Sequence, residues 1–529
     1  MGRPATLWKR EDIAARILEG NNFLIYRGKV LRIPNSWLSE HPGGALAILH
    51  FVGRDATDEV DAYHSEGTLK TIERYAVGTV EFGEEGWEPL MPPVMVGWVR
   101  RVGSDGKLEW YNEATAVRST EDTEFSPSSQ ILLVEKNAAV KDQAPTLSTI
   151  APPPTPLCPK LQARHSAAYK ELHHRIVDAG LYKTPFITGN GPDFLRYILF
   201  ATLSVIAYKH NWLTVSAVFL GLLWHQLGFF VHDLGHLGFT HDWFWDRIIS
   251  IFVADFCGGL SVGWWVDNHN VHHLVTNHPS HDPDIQHLPF FACSPAFFNN
   301  LYSSYYKFIF PMDWLARLVI PFQHQLFYVI MSLARFNLYR LSYTYLWNQR
   351  NSKKRVRGGQ LTWHLELIGM CVHWWWLSRV LVGCGTWKMA LWYLLVSNVV
   401  ASPLHVQIVL SHYSRSTADL GVVESFAHRQ LRTTTDVICP ESIGWIHGGL
   451  HLQVTHHLFP RLPRHNLKKA SVLVKEFANE QGLEYAEFGF IEGNGEIRGA
   501  LKDVADQFKI IGMVAEGEIR EAILKETKI

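Results

Sequence analysis

The run Trp212–Phe230 followed by Val231-His232-Asp233-Leu234-Gly235-His236 decides how this chain is read. An almost uninterrupted apolar stretch ends in two histidines four residues apart. Before it, Phe194–Tyr208 is also apolar, and only Lys209-His210-Asn211 separates the two, which is the pattern of a helical hairpin. A membrane-crossing helix needs about 20 mostly apolar residues. Further stretches of that kind are Trp314–Leu333, Leu361–Val382 and Trp387–Leu410. Arg317, Gln323, His324 and Gln325 interrupt 314–333, so it is expected to lie along the interface rather than cross. The basic cluster Lys353, Lys354, Arg355 and Arg357 marks the cytoplasmic side.

Two more histidine clusters stand next to apolar segments. One is His269-Asn270-Val271-His272-His273 and the other is Gln453-Val454-Thr455-His456-His457. On a helix, residues three or four apart share a face. The sets 232/236, 269/272/273 and 453/456/457 can therefore each aim two or three side chains at one point. Neutral imidazole suits iron, zinc or copper. Seven histidines are too many for one tetrahedral zinc but fit two metal ions. A histidine-rich interfacial helix that merely bonds headgroups or water is the plain alternative, and three such clusters at segment ends speak against it. Two spans before the first cluster and two between the second and third put all three on one membrane face, provided 314–333 does not cross.

Composition agrees with a soluble part joined to a membrane part. Of 529 residues, 47% are hydrophobic and 19% charged, below the roughly 25% charged residues of ordinary soluble domains. Lys+Arg 49 against Asp+Glu 50 leaves a net charge of −1, which argues against a nucleic-acid binder. The six cysteines are scattered and are expected to be reduced. No apolar leader core follows the charged run Lys9-Arg10-Glu11-Asp12, so no cleaved signal peptide is expected. The excess of 28 histidines in so apolar a chain suggests metal.

The N-terminal stretch reads differently. Residues 22–33 form a hairpin pattern around Arg27-Gly28, and short helical patterns follow to about Tyr75, giving a small α+β unit that ends near Val80. Within it, His41-Pro42-Gly43-Gly44 is a turn that exposes one imidazole, its glycines allowing the backbone close to a flat ligand, and His64 follows 23 residues later. Two axial histidines fill haem iron and leave only electron transfer; a tight turn with two incidental histidines is the alternative on spacing alone. Residues 85–165 read as a linker. It contains a possible hairpin over Val96–Val102 and Leu108–Tyr111, and a Pro-rich stretch at 144–159 expected to run extended as a stiff spacer.

Motifs sharpen both sites. Glu40-His41-Pro42-Gly43-Gly44, Gly53-Arg54-Asp55-Ala56-Thr57 and Tyr63-His64-Ser65 resemble the cytochrome b5 domain over roughly residues 7–81. That resemblance implies a haem b with His41 and His64 as axial ligands, and leaves His50 as a surface or packing residue. The clusters resemble the H-x-x-x-H, H-x-x-H-H and Q-x-x-H-H boxes of membrane desaturases. A Gln heading the third box, together with the fused cytochrome b5 domain, is similar to the front-end subfamily. The flanks Asp282-Pro283-Asp284-Ile285-Gln286-His287 and Trp445-Ile446-His447-Gly448-Gly449-Leu450 resemble sphingolipid Δ8-desaturases, and the Pro-rich linker and tail resemble the fungal branch.

The resemblance implies two non-haem irons held by His232, His236, His269, His272, His273, His456 and His457. His412 matches an additional ligand before the third box. Gln453 occupies a ligand slot, where a neutral amide would bind through water or orient a neighbour. His241, His278, His281, His287, His405, His447, His451 and His465 are left to supporting or surface roles. Asp233, Asp282 and Asp284 are candidates to orient ligand imidazoles.

The implied architecture is a small α+β haem-binding domain (1–84), the linker (85–165) and an all-α membrane desaturase domain (166–529). That last domain has about four transmembrane helices and a cytosolic cap from about Pro460. The implied activity uses O2 as co-substrate and takes electrons from an NAD(P)H-dependent cytochrome b5 reductase through the haem. It places a Δ8 double bond, trans on the fungal resemblance, in the long-chain base of a ceramide or other sphingolipid. The expected place is the endoplasmic reticulum membrane, multi-pass, with haem domain and boxes cytosolic. Rival readings are a front-end acyl-lipid fatty acid desaturase, a hydroxylase on the same di-iron scaffold, and a non-enzymatic haem electron carrier, which leaves the three clusters unexplained. One methylene in an apolar slot is worth only about 1–3 kcal/mol, so a gripped headgroup is the better ruler for double-bond position.

Overall fold

The computed structural model of the chain describes residues 6–83, 85–103, 106–114, 144–352 and 359–526. The basic cluster Lys353–Arg357 lies outside the described residues. In the N-terminal unit, helix α1 (Arg10–Leu18) buries Ile13, Ala14 and Ile17 along one face. Strands β1 (Asn22–Tyr26) and β2 (Lys29–Ile33) pair antiparallel, and β3 (Ala76–Thr79) adds to β2. Arg27 and Gly28 both have positive φ, as the two-residue turn between twisted strands demands. Alternate strand residues serve two cores. Phe23 and Ile25 pack with α1, while Leu24 and Tyr26 pack with Leu31 and Phe51. Short helices α2 (Asn35–Leu38), α3 (Leu46–Leu49), α4 (Thr57–Tyr63) and α5 (Glu66–Ile72) fill the space between β2 and β3.

The expected second hairpin forms as β4 (Trp98–Val102) and β5 (Leu108–Asn112). Trp110 Nε1 donates to the Leu18 carbonyl at 2.8 Å, so this hairpin lies on α1. The Pro-rich stretch is not a free spacer. Ile150 is fully buried in the N-terminal core, Met91 N–H donates to its carbonyl, and Thr155 Oγ1 donates to Leu420 O at 2.8 Å. An apolar side chain in a polar stretch turned the spacer into a strap. The next helix, α6 (Pro159–Asp178), begins inside the stretch read as linker, because Pro159 occupies the first helical position, where its missing N–H costs nothing.

The remaining helices build the larger unit. They are α7 (Gly191–Lys209), α8 (Leu213–Gly235), α9 (Trp243–Ile251), α10 (Val262–Leu274), α11 (Trp314–Val319), α12 (Gln323–Ser332) and α13 (Ala334–Gln349). After these come α14 (Gly359–Val382), α15 (Trp387–Ala401), α16 (Pro403–Leu410), α17 (Phe426–Thr433), α18 (Gln453–Leu458), α19 (Leu467–Gln481) and α20 (Phe490–Glu526). Among the described residues three helical runs are long and apolar enough to cross a membrane: α8, α14 and Trp387–Leu410. The run from Trp243 to Leu274 makes a fourth if its two arms are taken together, although they meet at 114°.

Helix α7 does pack along α8 as the expected hairpin, and Ser204 Oγ donates to the Ser216 carbonyl at 2.9 Å. Asp193 and Arg196 in its first turns make it less apolar than its partner. Leu195, Ile198, Leu199, Trp375, Leu391 and Trp392 stay uncovered, as lipid-facing side chains do. Residues 314–333 are broken into α11 and α12 around Pro321 and do not form a span, as expected. The bend between α9 and α10 was not legible in the sequence. It falls at Gly258-Gly259, where Gly259 has φ +68. Beyond Pro460, α19 and α20 form the cap, and Ile497 and Leu501 of α20 pack on Phe327 and Met331.

Candidate di-metal and haem sites

Helix geometry delivers the box histidines to one place. Helix α8 ends in His232 and His236, α10 carries His269, His272 and His273, and α18 carries His456 and His457. One ring nitrogen from each of His232, His236, His269, His273 and His456 lies within 4.8 Å of all the others, and His272, His412 and His457 form a second such group. Both groups are buried.

The two groups adjoin. His273 stacks on His457 with ring centres 4.0 Å apart. Its Nε2 stands 3.1 Å from His269 Nε2 and 3.1 Å from His456 Nε2. Two ligand nitrogens each about 2.1 Å from one ion, at right angles, stand about 3.0 Å apart, so the spacing fits shared metal coordination. The donor set fits as well. His236 Nε2, His272 Nε2 and His457 Nε2 are buried without a hydrogen-bond partner, and buried lone pairs need a partner. Burial, with neighbouring imidazoles adding to it, holds His412, His456 and His457 well below the usual histidine range and keeps them neutral, as metal binding requires.

Each of several rings is aimed by a bond on its other nitrogen. His272 Nδ1 donates to Asp282 at 2.9 Å and His269 Nδ1 to Asp284 at 3.3 Å. His457 Nδ1 donates to Gln430 Oε1 at 3.0 Å and His412 Nδ1 to the Thr433 carbonyl at 3.3 Å. In every case Nδ1 carries the proton and Nε2 is left for metal. Asp282 and Asp284 each bond one ring of these groups. Asp233 does not, because its carboxylate lies 3.6 Å from Arg464 Nε.

Gln430 and Thr433 on α17 had no metal-site spacing to reveal them. Their helix is anchored by Glu424, which accepts from His428, Arg429 and Arg432; these outweigh burial and hold its carboxyl well below the usual range. Gln453 shares the face of His456 and His457, and its Oε1 is buried without a partner. An Asp282→Asn exchange should weaken metal retention about 10–100-fold, measured as iron kept during titration with a chelator; retention equal to the parent would remove the carboxylate from this role.

In the N-terminal unit, His41 and His64 face each other with ring centres 6.1 Å apart. His41 Nδ1 donates to Gly44 O at 3.0 Å and His64 Nδ1 to Val60 O at 2.9 Å, which leaves both Nε2 atoms for a ligand. Two imidazole nitrogens about 2 Å from one iron, with ring centres about 1 Å further back, give about 6 Å. The pair fits an axial ligand set, and a cavity of about 520 Å³ lies beside it. Burial pushes His64 down to about 4 and keeps it neutral. The glycines differ from expectation. Gly43 does line the cavity, but Gly44 makes room for α10, since a Cβ there would meet Asp267 Oδ1 at 2.6 Å. His50 is wholly buried and faces His281 across the unit boundary, so it is a packing residue and not a surface one.

The two sites are neighbours. Tyr63, next to His64, sets its ring edge against His273 with centres 6.3 Å apart. Ser166 of α6 donates to Asp58 at 2.5 Å across the same boundary.

Known proteins carry the same two parts in the same order. Residues 210–489 match the fatty acid desaturase family model, and residues 9–81 match the cytochrome b5-like haem/steroid binding domain. The chain belongs to the fatty acid desaturase family. Among curated relatives of this desaturase, the Delta 8-(E)-sphingolipid desaturase of Komagataella phaffii is 41% identical, covering 95% of this chain and 94% of its own. The protein of the same name from Emericella nidulans is 40% identical over 96% and 95%. Delta(8)-fatty-acid desaturase 2 of Arabidopsis thaliana is 29% identical over 94% and 93%. In this desaturase the cytochrome b5 domain implies haem, and the histidine groups match the di-iron cluster that the family implies. His241, His278, His281, His287, His405, His447, His451 and His465 stand outside both metal groups. His447, for instance, bonds Gln407, and His281 Nδ1 lies 2.9 Å from Ser304 Oγ.

Proposed function

We propose that this desaturase sets a trans Δ8 double bond in the long-chain base of a ceramide-type sphingolipid. The observation that carries the reading is the pair of adjoining buried imidazole groups, in a chain matched over almost its whole length by relatives named for that reaction. The balance is R–CH2–CH2–R′ + O2 + 2 e⁻ + 2 H⁺ → R–CH=CH–R′ + 2 H2O. Side-chain acids and bases cannot take hydrogen from an unactivated methylene, and two irons held by these histidines would supply the oxidant.

The protein's own residues then do the rest. His232, His236, His269, His273 and His456 would hold one ion, and His272, His412 and His457 the other. Asp282, Asp284 and Gln430 fix the rings, Gln453 offers its amide oxygen directly or through water, and burial keeps bulk water away. His41 and His64 would hold haem b through their Nε2 atoms, and a haem held by two imidazoles would supply electron transfer and not O2 binding. The electrons would come from an NAD(P)H-dependent cytochrome b5 reductase.

The topology that supports this work is two crossings that return. The α7–α8 hairpin and the α14 to α16 pair each go across and come back, leaving haem domain, boxes and cap on the cytosolic face of the endoplasmic reticulum membrane. Both arms of the α9–α10 bend contribute to the wall of the cavity beside His41 and His64, Trp243 from one and Asn270 from the other. That arrangement favours a re-entrant element over a crossing.

Expression in a host without this activity, followed by mass spectrometry of its sphingoid bases, tests the reading. The expected product is a new double bond at the eighth carbon, in trans geometry. New unsaturation in fatty acyl chains with unchanged sphingoid bases would make this an acyl-lipid desaturase. A product retaining one oxygen atom would make it a hydroxylase, and no product with haem alone bound would leave an electron carrier.

A further inference from the structure

The N-terminal unit does not close the cavity beside His41 and His64 by itself. Leu234, Leu237, Trp243, Arg247, Asn270 and Arg461 of the desaturase unit complete its wall. The apolar members suit the flat face of a porphyrin. The charged members ask for something more. Apart from histidines, the charged side chains of the lining are two guanidiniums, Arg247 and Arg461, and one carboxylate, Glu59.

Among the described residues neither arginine belongs to an ion pair, and Arg461 Nε is buried with no hydrogen-bond partner. The Arg461 guanidinium stands 5.8 Å from the centre of the Tyr182 ring, a contact that uses none of its N–H donors. Arg247 has Asp255 and Asp267 within electrostatic range, but both arginines are half-buried, and a guanidinium so placed gains from an anion that bonds it directly. A b-type haem brings two carboxylates on one edge, and an arginine fork matches a carboxylate in shape as well as charge.

We propose that Arg247 and Arg461 hold the two haem propionates, so that the haem site is composite and the desaturase unit grips the haem edge. The inference rests on the reading of His41 and His64 as axial ligands. Under it, the propionate edge of the haem lies in a cavity that His236 of the first box also lines. Haem orientation and the approach to the metal site are then fixed by the same two side chains.

The full-length holoprotein tests this with Arg247→Gln, Arg461→Gln, the double variant and the double Arg→Lys variant. Haem loss to an excess of a haem-scavenging apoprotein and the haem midpoint potential are measured. Each Gln exchange should speed haem loss about tenfold, the factor expected when one charge-assisted bond goes, and the double variant more. The midpoint potential should fall, because a lost positive charge disfavours the added electron. The Lys variant should restore the potential but not the full retention, since a point charge lacks the fork. A double Gln variant, or a Lys variant, with unaltered low-spin spectrum, parental haem retention and parental potential overturns the proposal. A parent without a bis-histidine spectrum would instead overturn the axial reading beneath it.

Discussion

The His273→Ala protein should make no measurable double bond while its haem spectrum stays that of the parent. His273 is the most connected of the eight imidazoles. Its Nε2 is 3.1 Å from two other imidazole nitrogens of its own group, and its ring stacks on His457 of the second group. Truncation takes one imidazole from the first group and removes the ring that adjoins the second. A metal centre contributes several kcal/mol to such a reaction, so turnover should drop by at least about a thousandfold. Bound non-haem iron should fall with it. The haem signal is the control, because His41 and His64, proposed above to hold the haem, come from the other unit. Turnover within tenfold of the parent, with both irons kept, would show that His273 is not a ligand.

His64→Ala should give the complementary result. The six-coordinate, low-spin spectrum of the parent should vanish, and desaturation driven by NAD(P)H and reductase should fall below detection, while non-haem iron stays bound. The geometry behind this is the 6.1 Å separation from His41 and the fixed tautomer set by Val60 O. His41→Ala should behave alike. An unaltered spectrum in either variant would remove that histidine from the axial pair.

What the sequence revealed was what depends on local periodicity. Histidines at i, i+3 and i+4 share a helix face wherever that helix sits, so His269, His272 and His273 could be grouped before any packing was known. His41 and His64 were found through the short motifs around them. The hairpin was legible for a similar reason, since Arg27-Gly28 stands as a turn signal between two short strand patterns. Contacts made across the chain were not legible. Gln430 meets His457 only because Glu424 and its basic partners set α17 against α18. The 114° bend before α10 depends on glycines that read as ordinary loop residues. Asp233 lies inside the first box, yet Arg464, far along the chain, claims its carboxylate. Ile150 had a polar, Pro-rich neighbourhood that gave no hint of burial.

The core of this chain does not respect the boundary between its two chemistries. Ala62, two residues before His64, packs with Tyr169, Phe426 and Leu458 of the desaturase unit, and Leu274 of α10 packs with Leu24, Leu31 and Phe51 of the N-terminal unit. Pulling either unit apart would expose apolar surface on both, so neither has a melting transition wholly its own. The two are expected to unfold as one cooperative unit. A ligand held only by the native fold then stabilises the membrane part by mass action. Prosthetic-group supply thereby becomes a control on how much folded enzyme the membrane contains.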